Sequence, residues 1–307
     1  MKNKTLLLHR AIRPEYFFWS AILVALFGVS PESLPTQLDV VGGKTATTAV
    51  ALSNPFEHVP LLAKAAVVYD AKTRRILFAK DADEPLPLAS LTKVMTAMTA
   101  LSLIPETTLI PIDREAIKQE GDGGFSLNEE WILRDLLRFM LLQSSNDAAY
   151  AVAEGSGGHP FFIAAMNAHA EKLGLTRTHF ENETGLDLDA TRPGAVGSAR
   201  ETALLFAEAL TKFPRIFTAT RWSELLLPDK DGTFRSAENT NHDTNRLPLL
   251  LASKTGFTDL AGGNLAIAFD ADFGHPIIVV VLGSTAEGRF TDAEGLVWAA
   301  LHALSLH

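Results

Sequence analysis

The stretch Pro85-Leu86-Pro87-Leu88-Ala89-Ser90-Leu91-Thr92-Lys93-Val94-Met95-Thr96-Ala97-Met98 organises the chain. Its two prolines halt what precedes them, and Ser90 stands where a helix should begin, a place where a serine hydroxyl can take up a free amide of the first turn. From Leu91, the residues Val94, Met95, Met98 and Leu101 recur at three- and four-residue steps, which predicts a helix buried on one face. Lys93 follows Ser90 by three positions, so on a helix its amine and the hydroxyl share a face. A serine hydroxyl is a weak nucleophile until a base takes its proton, and a lysine becomes that base only when burial or a second cation lowers its pKa. Taken alone, Ser-x-x-Lys is equally a capping serine and a lysine reaching for water, so the rest of the chain must decide.

Composition sets the bounds. The chain has 307 residues, 47% of them hydrophobic, enough for one large domain or one domain with an inserted subdomain. The net charge of −9, with no basic block beyond the N-terminus, argues against nucleic acid as a partner. The absence of cysteine excludes disulfides, thiol catalysis and cysteine-ligated zinc. Lys2, Lys4, Arg10 and Arg13 precede an apolar run from Tyr16 to Val29, the layout of an export signal. The run is shorter than the roughly 20 residues of a full spanning helix. Its nearest cleavage-like triplet, Gly28-Val29-Ser30, is followed directly by Pro31. An uncleaved signal-anchor is favoured over a cleaved signal peptide or a buried helix. In the first two cases the basic residues stay cytoplasmic and the rest is exported, extracytoplasmic and tethered to the membrane by this segment. The expected organisation is residues 1–30 as signal or anchor, 31–60 as linker and 61–307 as the catalytic domain.

Within that domain, Ala65 to Asp70 and Arg75 to Lys80 read as two strands of a hairpin. Helical periodicity follows over Trp131 to Leu142, Ala148 to Glu154, Phe161 to Leu173 and Ala199 to Leu210, with a loop from Phe180 to Asp187. Leu249 to Ser253, Gly263 to Phe269 and Pro276 to Leu282 read as strands, and Ala293 to Leu304 as a closing helix packed on them. This is an α+β arrangement: the first hairpin must rejoin the late strands in one antiparallel sheet, with flanking helices and a helical subdomain.

Two further motifs bear on Ser90 and Lys93. Ser144-Ser145-Asn146 sits at the joint between two helices, and Lys254-Thr255-Gly256 closes an apolar strand. Alone, the first reads as a helix cap and the second as a strand end. In this order, Ser-x-x-Lys, Ser-x-Asn and Lys-Thr-Gly form the motif set of penicillin-binding proteins and class A β-lactamases. The segments Pro87 to Ala97, Ser144 to Ala149, Ser253 to Asn264, and Phe180 to Leu186 with Ser198-Ala199-Arg200 resemble the serine D-alanyl-D-alanine carboxypeptidases (low-molecular-weight penicillin-binding proteins, peptidase family S11). The resemblance covers roughly residues 62 to 305. On this reading the family's common C-terminal β-domain and amphipathic anchor helix are expected to be missing, and Lys118 to Glu130 is atypical in its glycines. These departures bear on membrane attachment and on the substrate side of the cleft.

The resemblance implies a penicillin-binding transpeptidase-like fold. It also implies an enzyme without cofactor or metal that removes the terminal D-Ala of a peptidoglycan stem peptide and is inhibited by β-lactams. Ser90 would be the nucleophile, Lys93 its base and Ser144 a relay between Lys93 and the leaving amine. Asn146 would orient the substrate amide and Lys254 supply positive charge. The backbone amides of Ser90 and Phe257, beside Gly256, would hold the oxyanion. Thr255 and Arg289, the latter in Gly288-Arg289-Phe290, would hold the free carboxylate. Three alternatives stay open. The first is an endopeptidase cutting D-Ala to diaminopimelate cross-links, and the second an inactive wall-binding scaffold. The third is a β-lactamase, which Glu181 and Glu183 do not favour because neither sits in a Glu-x-x-Leu-Asn pattern. No His-Glu-x-x-His, no Gly-x-Ser-x-Gly elbow and no phosphate-cradling loop is present, and Asp187-x-Asp189 reads as a loop pair.

Overall fold

The computed structural model describes residues 54–121 and 123–305. The expected signal or anchor segment and the expected linker up to residue 53 lie outside the described residues. Strands β1 (Ala65–Asp70) and β2 (Arg75–Lys80) form the expected hairpin. Asp70 closes its turn by accepting from the amides of Lys72 and Thr73 at 3.0 and 2.9 Å. A short strand, β3 (Leu86–Pro87), leads through a 3-10 turn at Ala89–Leu91 into helix α1 (Thr92–Leu103). Next come β4 (Leu109–Pro111), β5 (Glu130–Ile132), α2 (Leu133–Gln143), α3 (Asn146–Gly155) and α4 (His159–Lys172). Strands β6 (His179–Phe180) and β7 (Ala195–Gly197) pair with each other and with β3 ahead of α5 (Ala199–Lys212) and α6 (Pro214–Phe217). The hairpin β8 (Glu224–Pro228) and β9 (Phe234–Glu238) precedes the long strands β10 (Leu250–Thr258), β11 (Gly262–Asp270) and β12 (Pro276–Ser284), and α7 (Gly288–Ser305) follows.

The main sheet runs β10-β11-β12-β1-β2, antiparallel throughout, with Ala65 opposite Leu282 and Asp70 opposite Ile277. Every residue of β1 is buried because both faces of the sheet are covered. The pleat sends Ala65, Val67 and Tyr69 to one core, and Ala66 and Val68 to the other. The first core contains α1, α2, α3 and α5. The second is closed by α7 through Leu296, Val297 and Ala300 against Ile267, Val279 and Val281.

Several expectations need correction. Helix α1 is buried along its whole first three-quarters, Thr92 to Ala100, and not on one face. Threonines and alanines between the large residues let α2, α3, α4 and α5 all pack close around it. Trp131 and Ile132, expected in a helix, pair as strand with Ile110 and Leu109. Lys254-Thr255-Gly256 lies inside β10 and does not close it, since the strand continues to Thr258 opposite Gly262. The closing helix begins at Gly288, whose amide is taken by the Thr285 hydroxyl at 2.8 Å, so Arg289 stands in its first turn. Near the domain's start, Phe56 is buried and stacks on Phe78 with ring centroids 5.3 Å apart, so residues from 54 onward already pack on the core.

The entry into β1 is fixed by one carboxylate. Asp292, in α7 and 2% exposed, accepts from Leu62 N (3.0 Å), Ala63 N (2.8 Å) and Ser284 Oγ (2.7 Å). Asp292→Ala leaves those buried donors unpaired, at a cost of about 2 to 4 kcal/mol. A fall in Tm of roughly 5–10 °C is expected by differential scanning fluorimetry, with the folded protein keeping the geometry around Ser90.

Candidate active site

Ser90 sits in a strained turn. Ala89, just before it, has φ 49°, a left-handed conformation rare for a residue with a side chain. Neither the 3-10 turn nor α1 has a side-chain cap, so Ser90 does not do the capping that its position suggested. Its Oγ lies 2.9 Å from Lys93 Nζ, the contact that the three-residue spacing predicted. Lys93 is fully buried. Its amine also donates to Asn146 Oδ1 at 2.6 Å and to the Thr184 carbonyl at 2.8 Å. Burial pushes its pKa down to about 7, against an opposing pull from the Glu183 carboxylate.

A second buried lysine faces it. Lys254 is 2% exposed and donates to Ser144 Oγ and the Thr255 carbonyl, both at 2.8 Å. Its pKa is held far below the ordinary range, first by burial and then by the charges of Lys93 and Arg289. Burial and a second cation were the two causes expected to lower the Lys93 pKa. Burial is the leading cause for both lysines.

The junction of α2 and α3 divides its polar residues between structure and site. Ser145 caps α3, accepting from Ala148 N at 3.1 Å. Ser144 ends α2 in the left-handed region at φ 62°, and its hydroxyl takes its hydrogen bond from Lys254 rather than from Lys93. The relay expected to join Ser144 to Lys93 is therefore displaced toward Lys254. Asn146 spends its Oδ1 on Lys93 and one Nδ2 hydrogen on the Glu120 carbonyl, at 2.6 Å each. It is a clamp between α1 and the 120s segment first, with one amide hydrogen left for a substrate.

Strand β10 runs against the Ser90 turn. A Cβ on Gly256 would lie 3.0 Å from Leu88 O and 3.2 Å from Ser90 N, so a side chain here would press on the Ser90 turn, and glycine lets this strand lie beside the Ser90 amide without strain. That approach brings the backbone at Gly256 and Phe257 next to Ser90, where the oxyanion pocket was expected. Thr255 Oγ1 pairs with Thr240 Oγ1 at 2.6 Å, and the Phe257 ring is 52% exposed. Arg289 Nη1 donates to the Gly256 carbonyl at 2.8 Å, while its Nε is buried without a partner. Arg289 thus reaches the strand from α7, as a carboxylate clamp requires, but already holds the backbone there.

Other partners were not foreseen. The loop after β6 supplies the Thr184 carbonyl to Lys93 and the Glu183 carbonyl to Thr96 Oγ1 (2.7 Å). Asn182 Oδ1 closes that loop by accepting from Gly185 N at 2.7 Å, and Asp187 ties it to β10 through Thr258 Oγ1 at 3.1 Å. Backbone carbonyls leave no mark in a side-chain pattern. The one visible signal was Gly185, whose φ is 78° and where a Cβ would lie 1.9 Å from Ala89 O.

A buried lysine of lowered pKa on a serine hydroxyl, a second lysine–serine pair and a strand backbone laid against the Ser90 amide define a serine–lysine acyl-transfer enzyme. The sequence profile of the D-alanyl-D-alanine carboxypeptidases, peptidase S11, matches residues 40–286, and the chain belongs to that family. It is 33% identical to the D-alanyl-D-alanine endopeptidase of Pseudomonas aeruginosa, over 80% of this chain and 80% of that protein. It is 32% identical to D-alanyl-D-alanine carboxypeptidase DacC of Escherichia coli, over 82% of this chain but 64% of that protein. Among solved structures it superposes on penicillin-binding protein D2 of Listeria monocytogenes in its ampicillin-bound form. The TM-score there is 0.67 at 30% identity, covering 78% of this chain and 97% of that one. The penicillin-binding fold expected from the motifs is the fold observed. Members of the family are cell-wall peptidases that act outside the cytoplasm.

Gly185→Ala sets a methyl group against the Ala89 carbonyl, one residue before Ser90. It is expected to cost about 3 kcal/mol and to slow acylation by a penicillin, measured as a fall in both Tm and the rate of covalent adduct formation.

Proposed function

We propose that the chain is a serine DD-carboxypeptidase in which Ser90 attacks the carbonyl of the penultimate D-Ala of a peptidoglycan stem peptide. The observation that carries this reading is the 2.9 Å contact between Ser90 Oγ and the amine of Lys93, which is fully buried with its pKa lowered to about 7. At neutral pH a large fraction of that amine is free base, within reach of the proton it must take. The carbonyl oxygen, gaining charge as the new bond forms, is received by the backbone amides of Ser90 and Phe257. The bond to the terminal D-Ala breaks, and the proton that Lys93 took from Ser90 passes by way of the Ser144 hydroxyl to the leaving nitrogen, with Lys254 holding that hydroxyl at 2.8 Å. Water then hydrolyses the Ser90 ester. Asn146 orients the peptide, and Thr255 and Arg289 receive the terminal carboxylate. β-Lactams enter the same site and stop at the acyl-enzyme, as the ampicillin-bound structure of the Listeria relative suggests.

The proposed division has the catalytic domain at residues 61–307 after a membrane tether over 1–30 and a linker over 31–60, whose last residues, from 54, lie against the domain through Phe56. The tether rests on the four basic residues before the apolar run from Tyr16 to Val29. Among the described residues no helix is long and apolar enough to cross a membrane.

A second reading, a cross-link endopeptidase, is favoured by one observation. The Pseudomonas endopeptidase is matched over 80% of its length, whereas DacC is matched over 64% of its own. Purified stem pentapeptide and D-Ala–diaminopimelate cross-linked dimers separate the two by chromatography. Free D-Ala from the first supports the carboxypeptidase, and conversion of dimer to monomer without it supports the endopeptidase.

The shared chemistry is tested by intact-protein mass spectrometry after incubation with a penicillin. One adduct is expected on the wild type and none on Ser90→Ala; an adduct on Ser90→Ala would remove the assignment. Because the base must be neutral, the acylation rate should rise about tenfold per pH unit below the Lys93 pKa and level off above it. The bend is expected near 7.

A further inference from the structure

We propose that Glu183 and His159 form a buried ion-pair device behind Lys93 that sets the pH at which the amine becomes a base. It rests on the reading of Lys93 as the base for Ser90. Neither residue belongs to the three motifs, and neither touches Ser90.

Glu183 is 4% exposed. Its backbone is fixed on α1: the Glu183 carbonyl accepts from Thr96 Oγ1 at 2.7 Å, and the next carbonyl, Thr184, accepts from Lys93 Nζ at 2.8 Å. Its side chain points the other way in the bonding pattern, to His159 Nδ1 at 3.3 Å. His159 is the first residue of α4, with its ring against Tyr150 at a centroid separation of 3.9 Å. Its Nε2 makes an ion-pair contact with the half-exposed Glu154 at 3.4 Å. A buried carboxylate is costly unless it is paired. Here the only direct ionisable partner its side chain contacts, among the described residues, is a group that titrates near neutral pH.

The charged and titratable surroundings are mixed. Facing the pair are Lys93 from α1, Tyr150 and Glu154 from α3, and Asp113 and Glu115 from the segment after β4. On the far side of Lys93 stands Lys254 from β10. The hydrogen bond and charge of Glu183, with Glu154 and Asp113, hold His159 above the ordinary imidazole range. When His159 carries its proton, the field of Glu183 at Lys93 is largely compensated. When that proton is lost, the bare carboxylate favours the ammonium form of Lys93 and disfavours the base. Glu183 and His159 are thus positioning residues that act through Lys93.

The two ends of such a pair must move the enzyme in opposite directions, which a merely structural role does not do. The second-order rate of acylation by a penicillin is measured against pH on the full chain, for the wild type, Glu183→Gln, His159→Gln and the double variant. Glu183→Gln removes the negative charge, and the acid limb should shift down by about half a unit to one unit. His159→Gln leaves Glu183 uncompensated, and the limb should shift up by a similar amount. The double variant should follow Glu183→Gln, because His159 acts only through Glu183. Glu183→Asp, which keeps the charge, should keep the wild-type limb. Limbs that stay in place, or shift the same way in both single variants, would overturn the proposal, even if Tm or the plateau rate falls. If Glu183→Gln does not fold, His159→Gln decides alone: an upward shift supports the pair and an unmoved limb removes it. Lys93→Ala tests the underlying reading separately. Acylation of that variant at the wild-type rate would remove Lys93 as the base, and this proposal with it.

Discussion

The structure depends on hiding one amine. Lys93 lies in the first turn of a helix that is buried from Thr92 to Ala100, its side chain is fully buried, and an ammonium there costs heavily unless it is matched. Its three direct partners are a hydroxyl, an amide oxygen and a backbone carbonyl, with no carboxylate among them. That choice is chemical. A carboxylate in direct contact would lock the lysine as its ammonium, whereas a polar but uncharged cage satisfies its hydrogens and lets burial lower its pKa to about 7. The nearest negative charge acting on it, Glu183, is set back and occupied by His159.

The same requirement shapes the backbone around the site. Ser90, Ser144 and Lys254 come from distant parts of the chain, and they meet only because main chain approaches main chain closely. Gly256 lets β10 lie on the Ser90 turn, and Gly185 lets the loop after β6 press on Ala89. Two residues with side chains, Ala89 and Ser144, are held at positive φ, each beside or within a motif. The surrounding fold supports this strain: the sheet that carries Lys254 is covered on both faces, and α1 is enclosed by four helices.

What the sequence revealed and what it hid divide along physical lines. The hairpin at Ala65 to Lys80, the late strands and their reunion in one sheet were legible because alternation and apolar runs record burial directly. The three motifs were legible because their chemistry resides in side chains at fixed spacing. The hairpin β8–β9 was not, since its strands are short and one of them, Phe234–Glu238, is mostly polar. The full burial of α1 was hidden by its threonines, which read as polar in a periodicity but fit between helices. The partners of Lys93 were half hidden: Asn146 was foreseen, but as a substrate ligand, and Thr184 contributes only a carbonyl. Ser144 shows the limit of motif reasoning. Its hydroxyl was rightly placed in the site, yet the lysine it bonds is fixed by the left-handed end of α2, which no spacing rule reports.

The carboxypeptidase and endopeptidase readings share more than the nucleophile. In either reaction the leaving amine belongs to a residue with a carboxylate on the same carbon, so the carboxylate clamp proposed for Arg289, which holds the Gly256 carbonyl, would serve both without change. The acyl half is also identical, a D-Ala carbonyl delivered to Ser90. The machinery around Lys93 therefore cannot choose between them. Discrimination must come from what meets the rest of the leaving group: a methyl group in one case, the long arm of a second peptide in the other. Two features of this chain stand where that difference would be felt. One is the exposed Phe257 ring, one residue past the backbone that receives the clamp. The other is the glycine-bearing segment that bonds Asn146 through the Glu120 carbonyl. On the proposed reading, the buried lysine sets the rate of either reaction, and the choice between a methyl group and a peptide arm is left to the exposed rim.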